Sequence, residues 1–283
     1  MTILLFIVLI ILMLNNDIAS HSVIESLDLW FYRLVPVLLP VMLLTDIIVN
    51  SKILAYLSNK AFKIIHKLIN IRYEKSVILL MISILCGAPA STKLIIESFN
   101  KNEIDLKEAT SLIYSLSCFS LPYIIYILNR INVNFLYYFL PNILTTIIIF
   151  NKLNKGEISL IKQNKLESGL LNSFFTSINK TINVLFVILV IIISFNTLIS
   201  ILNISDYFYF ILEPLKGIEL LINLKNIRLR KILILLSLNI LGLSPIMQIK
   251  YVFEKINIAK LILIKLLVAI PYLCFLIITI ILS

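Results

Sequence analysis

Between Ser76 and Phe99 an apolar run of membrane-spanning length carries Cys86-Gly87-Ala88-Pro89-Ala90-Ser91-Thr92-Lys93 in its middle. Proline removes one backbone donor and clashes with the preceding turn. In lipid the freed groups need new partners, so such breaks persist only where protein or a water-filled cavity covers them. A break at mid-membrane is a common way to build a transport site. The plainer alternative is a proline kink with a lysine that reaches the membrane surface.

Composition agrees with a chain that lives in lipid. Of 283 residues, 60% are hydrophobic and 14% charged, whereas soluble domains carry roughly 25% charge. The apolar residues fall in runs of spanning length, which predicts an all-α polytopic membrane protein. No polar stretch is long enough to fold alone. The net charge of +10 follows from Lys and Arg in loops beside an anionic membrane face. These residues are scattered among the spans, which argues against nucleic acid as a partner. Cys86, Cys118 and Cys274 all lie in apolar segments. Their odd count and wide spacing argue against a disulfide framework or a zinc site. His21 and His66 are far apart in sequence, and no metal site is expected. No Ser/His/Asp set and no phosphate-binding glycine loop occurs, so no enzyme, catalytic residue or cofactor is expected.

Taken in order, residues 3–14 are a short apolar run, read as an uncleaved first span. Residues 29–49 hold Trp30 and Tyr32, suited to a headgroup belt, and Pro36 and Pro40, which predict a bend. Arg33 there either snorkels or contacts an anion. Residues 52–75 read as a basic amphipathic helix on the cytoplasmic surface. Asp105 is placed to N-cap the helix after the 101–108 turn, with Glu108 as its capping-box partner. That helix, 109–128, is interrupted at Ser117-Cys118-Phe119-Ser120-Leu121-Pro122. A further span covers 135–150. Residues 152–170 are the longest polar stretch, and 183–202 the cleanest span. Residues 206–231 form a second charged amphipathic segment containing Glu213 and Gly217. The run 232–253 is broken at Gly242-Leu243-Ser244-Pro245, with Gln248 behind the break, and 261–282 carries Pro271-Tyr272.

The two halves look alike. Leu29–Leu128 and Asn183–Leu282 each run span, charged amphipathic segment, span broken at glycine and proline, and span with Pro-Tyr. The expected organisation is 1–28 (first span and loop), 29–151 (first repeat plus connecting span), 152–182 (basic cytoplasmic linker) and 183–283 (second repeat). Both basic segments should face the cytoplasm, yet three apolar elements separate them. If one broken element turns back within the membrane, the repeats become inverted; otherwise one basic segment faces outward.

With these residues assembled, the chain resembles the sporulation integral membrane protein family of YlbJ (SpoVV), within the nucleoside-recognition "Gate" group. The resemblance covers roughly 29–282. It rests on Trp30 with Pro36 and Pro40, Gly87-Ala88-Pro89 with Lys93, the Ser-rich turn before Pro122, Glu213 and Gly217, and Gly242-Leu243-Ser244 with Gln248. The family pattern Gly-x-Pro-x-Gly-x-Lys has Ser91 at its second glycine here, and a paired glycine becomes Leu241-Gly242. The resemblance implies two Gate-like repeats and transport of dipicolinic acid across a forespore membrane.

The expected substrate-binding set is Gly87, Ala88, Pro89, Ser91, Thr92, Lys93, Ser117, Ser120, Pro122, Glu213, Gly217, Gly242, Ser244 and Gln248. Glycines allow close backbone approach, half-helix ends offer donors, and Lys93 offers charge. Three functions stand open: a transporter of a small organic anion, a nucleoside transporter, or a non-transporting membrane partner subunit. The expected partners are the lipid bilayer and a small solute, with a homo-oligomer or other membrane proteins possible.

Overall fold

The computed structural model describes residues 10–49, 52–155 and 170–281. Part of the first span and most of the 152–170 linker lie outside the described residues. Every regular element among the described residues is helical. Helix α1 (Asn16–Leu29) leads through a π-helical turn (Trp30–Leu34) into α2 (Val35–Val49). Then come α3 (Lys52–Ile65), α4 (Glu74–Cys86), α5 (Ala90–Asn100), α6 (Leu106–Leu116), α7 (Leu121–Arg130) and α8 (Phe135–Leu153). The second half holds α9 (Leu170–Ile201), α10 (Asp206–Leu212), α11 (Pro214–Ile222), α12 (Ile227–Ile240), α13 (Leu243–Val252) and α14 (Ile258–Ile281).

Among the described residues, four stretches are long and apolar enough to cross a membrane: Asn16–Thr45, Leu106–Arg130, Ser177–Ile201 and Ile227–Val252. This is the architecture of an integral membrane protein. Two of the four are interrupted near their middles, between α6 and α7 and between α12 and α13.

The first crossing carries its irregularity where the prolines are. The widened π turn immediately precedes Pro36, and Pro40 lies inside α2; neither proline can donate to the helix ladder. Trp30 docks on α9. Its Nε1 donates to the Leu185 carbonyl at 3.0 Å, and its ring stacks on Phe186. It is thus part of a helix–helix contact, a role the headgroup-belt expectation did not include.

The basic segment 52–75 is not one surface helix. Helix α3 stops at Ile65, and the chain turns inward so that Arg72 and Lys75 are buried. Burying these cations demands partners, and the partners are acidic. Lys75 pairs with Glu103 at 3.6 Å. Arg72 reaches Asp105 through Nη2 at 2.5 Å and Glu108 through Nε at 3.2 Å. Asn154 accepts from Arg72 at 3.2 Å and donates to both Glu108 and the Asn70 carbonyl. One polar cluster therefore ties the 66–73 loop, the start of α6 and the end of α8.

Asp105 caps α6 by accepting from the Glu108 N–H at 2.7 Å. The reciprocal half of the capping box is missing, because the Glu108 carboxylate is held by Arg72 and Asn154 instead. Burial works against the charge on Asp105. The Arg72 guanidinium and the Glu108 N–H outweigh it and hold the carboxyl below its ordinary value.

The repeat register drawn from the sequence also changes in detail. Residues 206–231 fold as two short helices, α10 and α11, and the start of α12. Pro122 sits in the first turn of α7, just after the interruption, whereas α14 runs on through Pro271 and Tyr272. The two Pro-Tyr pairs thus occupy different local settings.

Arg72→Met should lower stability by about 3–5 kcal/mol, because it leaves Glu108 charged and buried without its cation. Thermal unfolding in detergent measures this. The depressed Asp105 carboxyl contributes stability fully above about pH 4, the ordinary value. That contribution should fade as pH falls through the lower folded-state value, and it should be missing from the pH profile of Asp105→Asn.

Candidate functional site

Helix α4 ends at Cys86 because Gly87 turns out of the ladder, with φ 68° and ψ 178°. The freed Ala88 N–H does not go unpaired. It donates to the Cys118 carbonyl at 2.8 Å, within the interruption between α6 and α7. The approach is so close that a Cβ at Gly87 would lie 2.3 Å from the Ser120 nitrogen. Two interruptions thus dock backbone against backbone, and the second supplies the acceptor that the freed N–H of the first needs.

The second half repeats this device with other parts. Gly242 adopts φ 74° and ψ 167°, nearly the backbone conformation of Gly87. A Cβ there would meet Pro214 Cδ at 2.8 Å and the Phe210 carbonyl at 3.1 Å, at the junction of α10 and α11. Gly217 is fixed by the same junction, since its Cβ would lie 2.5 Å from Phe210 Cα. Glu213 is fully buried there. Its carboxylate caps α11, accepting from Leu215 N at 3.3 Å and Lys216 N at 2.8 Å. In the first half the glycine break precedes its docking partner in the chain. In the second half it follows it.

Two hollows flank the Ser117–Ser120 segment. The smaller, about 40 Å³, is lined by Ala88, Pro89 and Ser120 from the first half and by Leu215, Pro245 and Gln248 from the second. That is room for about one water. Ser120 Oγ is buried with no hydrogen-bond partner among the described residues. Gln248 Nε2 reaches Ser244 Oγ at 3.5 Å. Phe119 and Tyr123 add two rings 5.4 Å apart. Arg33 stands at the edge, held by the Tyr126 hydroxyl at 3.1 Å and Glu219 at 3.4 Å.

The larger cavity, about 310 Å³, lies on the other side of the same segment. Ser115, Ser117 and Cys118 line it with residues of α4, α8, α12 and α14. Lys265 projects from α14 into its wall and is only 4% exposed.

The sequence-chosen residues therefore scatter. Ala88, Pro89, Ser120 and Gln248 meet at the small hollow, and Ser117 lines the large cavity. Gly87 and Gly242 form the breaks, while Gly217 and Glu213 hold the α10–α11 junction. Ser91, Thr92 and Ser244 are buried but line neither hollow. Lys93 is half-buried on α5 and Pro122 is exposed, and neither lines a hollow. Sequence reasoning missed Lys265 and Tyr123. Lys265 had a signal: it is a lone cation inside the apolar run Leu261-Ile262-Leu263-Ile264-Lys265-Leu266-Leu267-Val268.

Comparison of the chain with models of known protein families, with characterised proteins and with solved structures gave no match.

Gly87→Ala should be the more damaging of the two glycine substitutions. It forces alanine into a backbone region that only glycine adopts readily, costing about 1–3 kcal/mol, and an overpacked backbone contact costing about 1–3 kcal/mol more. Gly242→Ala meets a proline ring edge rather than a peptide nitrogen and should lose less. Detergent unfolding temperatures of the two variants decide the ranking.

Proposed function

We propose that this chain is a membrane transporter of a small organic anion and that the solute passes where the interrupted helices meet. One observation carries the reading. The breaks of the two halves converge on one hollow, lined by a buried Ser120 hydroxyl that has no partner among the described residues and by Gln248 of the other half. Transport sites at repeat boundaries are built from such discontinuous helices.

The paired docking of interruptions in each half supports two Gate-like repeats. An inverted pair, with broken elements that turn back within the membrane, would keep one order along the chain and change only orientation; the order differs here, so the likeness is one of device and not of register. The resemblance to the YlbJ family points to dipicolinic acid as the solute and to a cell or forespore membrane as the location. A nucleoside is the second reading. Phe119 and Tyr123 offer an aromatic face, and Gln248 offers the two-way hydrogen bonding that a neutral base needs.

The test is uptake of labelled dipicolinate into proteoliposomes, with uridine as competitor. Saturable uptake is expected. Gln248→Leu should lower it about tenfold, the loss of one hydrogen bond to a charged group. Uptake of uridine in place of dipicolinate would establish the nucleoside reading. Entry of neither solute would leave a membrane partner subunit and end the transport proposal.

A further inference from the structure

Lys265 sits in α14, seven residues after Ile258, or about 10 Å along the axis from that end at ~1.5 Å per residue. An ammonium at such a place is normally paired, or it snorkels out to water. Lys265 does neither. It is 4% exposed, and no carboxylate lies among the residues lining its cavity. No hydrogen bond ties its ammonium among the described residues, and the Cys118 thiol lines the same cavity. Three N–H donors therefore face a hollow of about 310 Å³.

Most of the other polar lining is already committed, the Thr146 hydroxyl apart. Ser115 Oγ donates to the Ser111 carbonyl at 2.6 Å, and Ser117 Oγ donates to Ile113. Asn142 Nδ2 donates to the Tyr138 carbonyl at 2.9 Å, and Asn239 Nδ2 to Leu235 at 2.8 Å. Each asparagine amide keeps one more N–H. Most of the wall is hydrocarbon, from residues such as Leu80, Ile84, Phe139 and Ile143. The cavity offers one charge, a few donors and an apolar body-sized space.

We infer that this cavity is a binding site for a monocarboxylate with a compact apolar body, its carboxylate held by Lys265 and its body packed against α4 and α8. A second carboxylate would find no second cation among the described lining residues and would be buried unpaired. A neutral ligand would leave the ammonium as it is now. This shares with the transport reading a small organic anion but not its solute, since dipicolinate carries two carboxylates; it rests on that reading only for where the ligand goes next, and the binding is measurable alone. In that reading the Ser117–Ser120 segment stands between the loaded cavity and the hollow at the breaks.

Equilibrium dialysis of the purified full-length protein in detergent tests it, with labelled benzoate as probe. Benzoate should bind. Benzamide, of the same shape without the charge, and isophthalate, with a second charge, should each bind at least about tenfold more weakly, the scale of a charge-assisted hydrogen bond. Lys265→Met should weaken benzoate by a similar factor, and Lys265→Arg should retain most of it. Benzoate should also slow alkylation of Cys118 in a variant lacking Cys86 and Cys274, a readout that needs no substitution at Lys265. A laurate arm separates the sources of the carboxylate. Laurate tighter than benzoate means an acid drawn from the bilayer, and laurate weaker means one drawn from water. Equal affinity for benzoate and benzamide, or benzoate binding unchanged in Lys265→Met, overturns the inference. Benzoate binding with no uptake of dipicolinate or uridine into proteoliposomes would instead overturn the transport reading and leave this site standing.

Discussion

A peptide N–H stranded in hydrocarbon has no water to turn to, and this fold is built around that constraint. Two crossing-length stretches are interrupted near their middles, and the chain meets the demand by pressing one interruption against another. The bond from Ala88 N–H to the Cys118 carbonyl at 2.8 Å is the clearest case. It requires the backbones to touch, and touching requires the missing side chain of Gly87. Gly242 does the same against the α10–α11 junction. Glycine serves here twice over, as the residue that tolerates φ near 70° and as the residue that leaves room.

Polar side chains follow a division of labour set by depth. At one end of the bundle Arg72, Asp105, Glu108 and Asn154 close a charged cluster in which each member has partners. In the interior, Glu213 is buried but committed to capping α11. Serines along α4, α6 and α9, such as Ser83, Ser115 and Ser194, return their hydroxyls to carbonyls one turn back. Two of the polar groups left over among the described residues stand at the hollows: the Ser120 hydroxyl and the Lys265 ammonium. They lie on opposite sides of a single four-residue segment.

The helical membrane architecture and the sites of the breaks were legible in the sequence. Apolar run length, proline and glycine act locally, so Gly87, the 117–120 interruption and Gly242 could be placed without tertiary knowledge. Which side chains face one another could not. Glu213 and Gly217 look like site residues beside a proline, and only the α10–α11 contact reveals a cap and a close backbone crossing. Arg72 and Lys75 continue a basic amphipathic pattern that gives no hint of the turn at Ile65. Lys93 stands next to a break and is marked by it, whereas Lys265 is marked only as a lone cation in an apolar run, a signal that does not say whether it snorkels or is buried. Burial without a partner is a property of the assembled bundle, and a linear reading ranks lysines by their neighbours in sequence.

The stretch from Ser117 to Ser120 has a consequence beyond holding two helices apart. Ser117 and Cys118 belong to one chamber while Phe119 and Ser120 belong to the next, so the wall between them is a single thickness of chain. A wall that thin is pinned chiefly where Gly87 leans on it. A modest swing at that pin could merge the chambers without any helix leaving its place. If the proposed transport holds, passage from one chamber to the next asks for the lifting of a latch rather than the rocking of one half of the protein against the other.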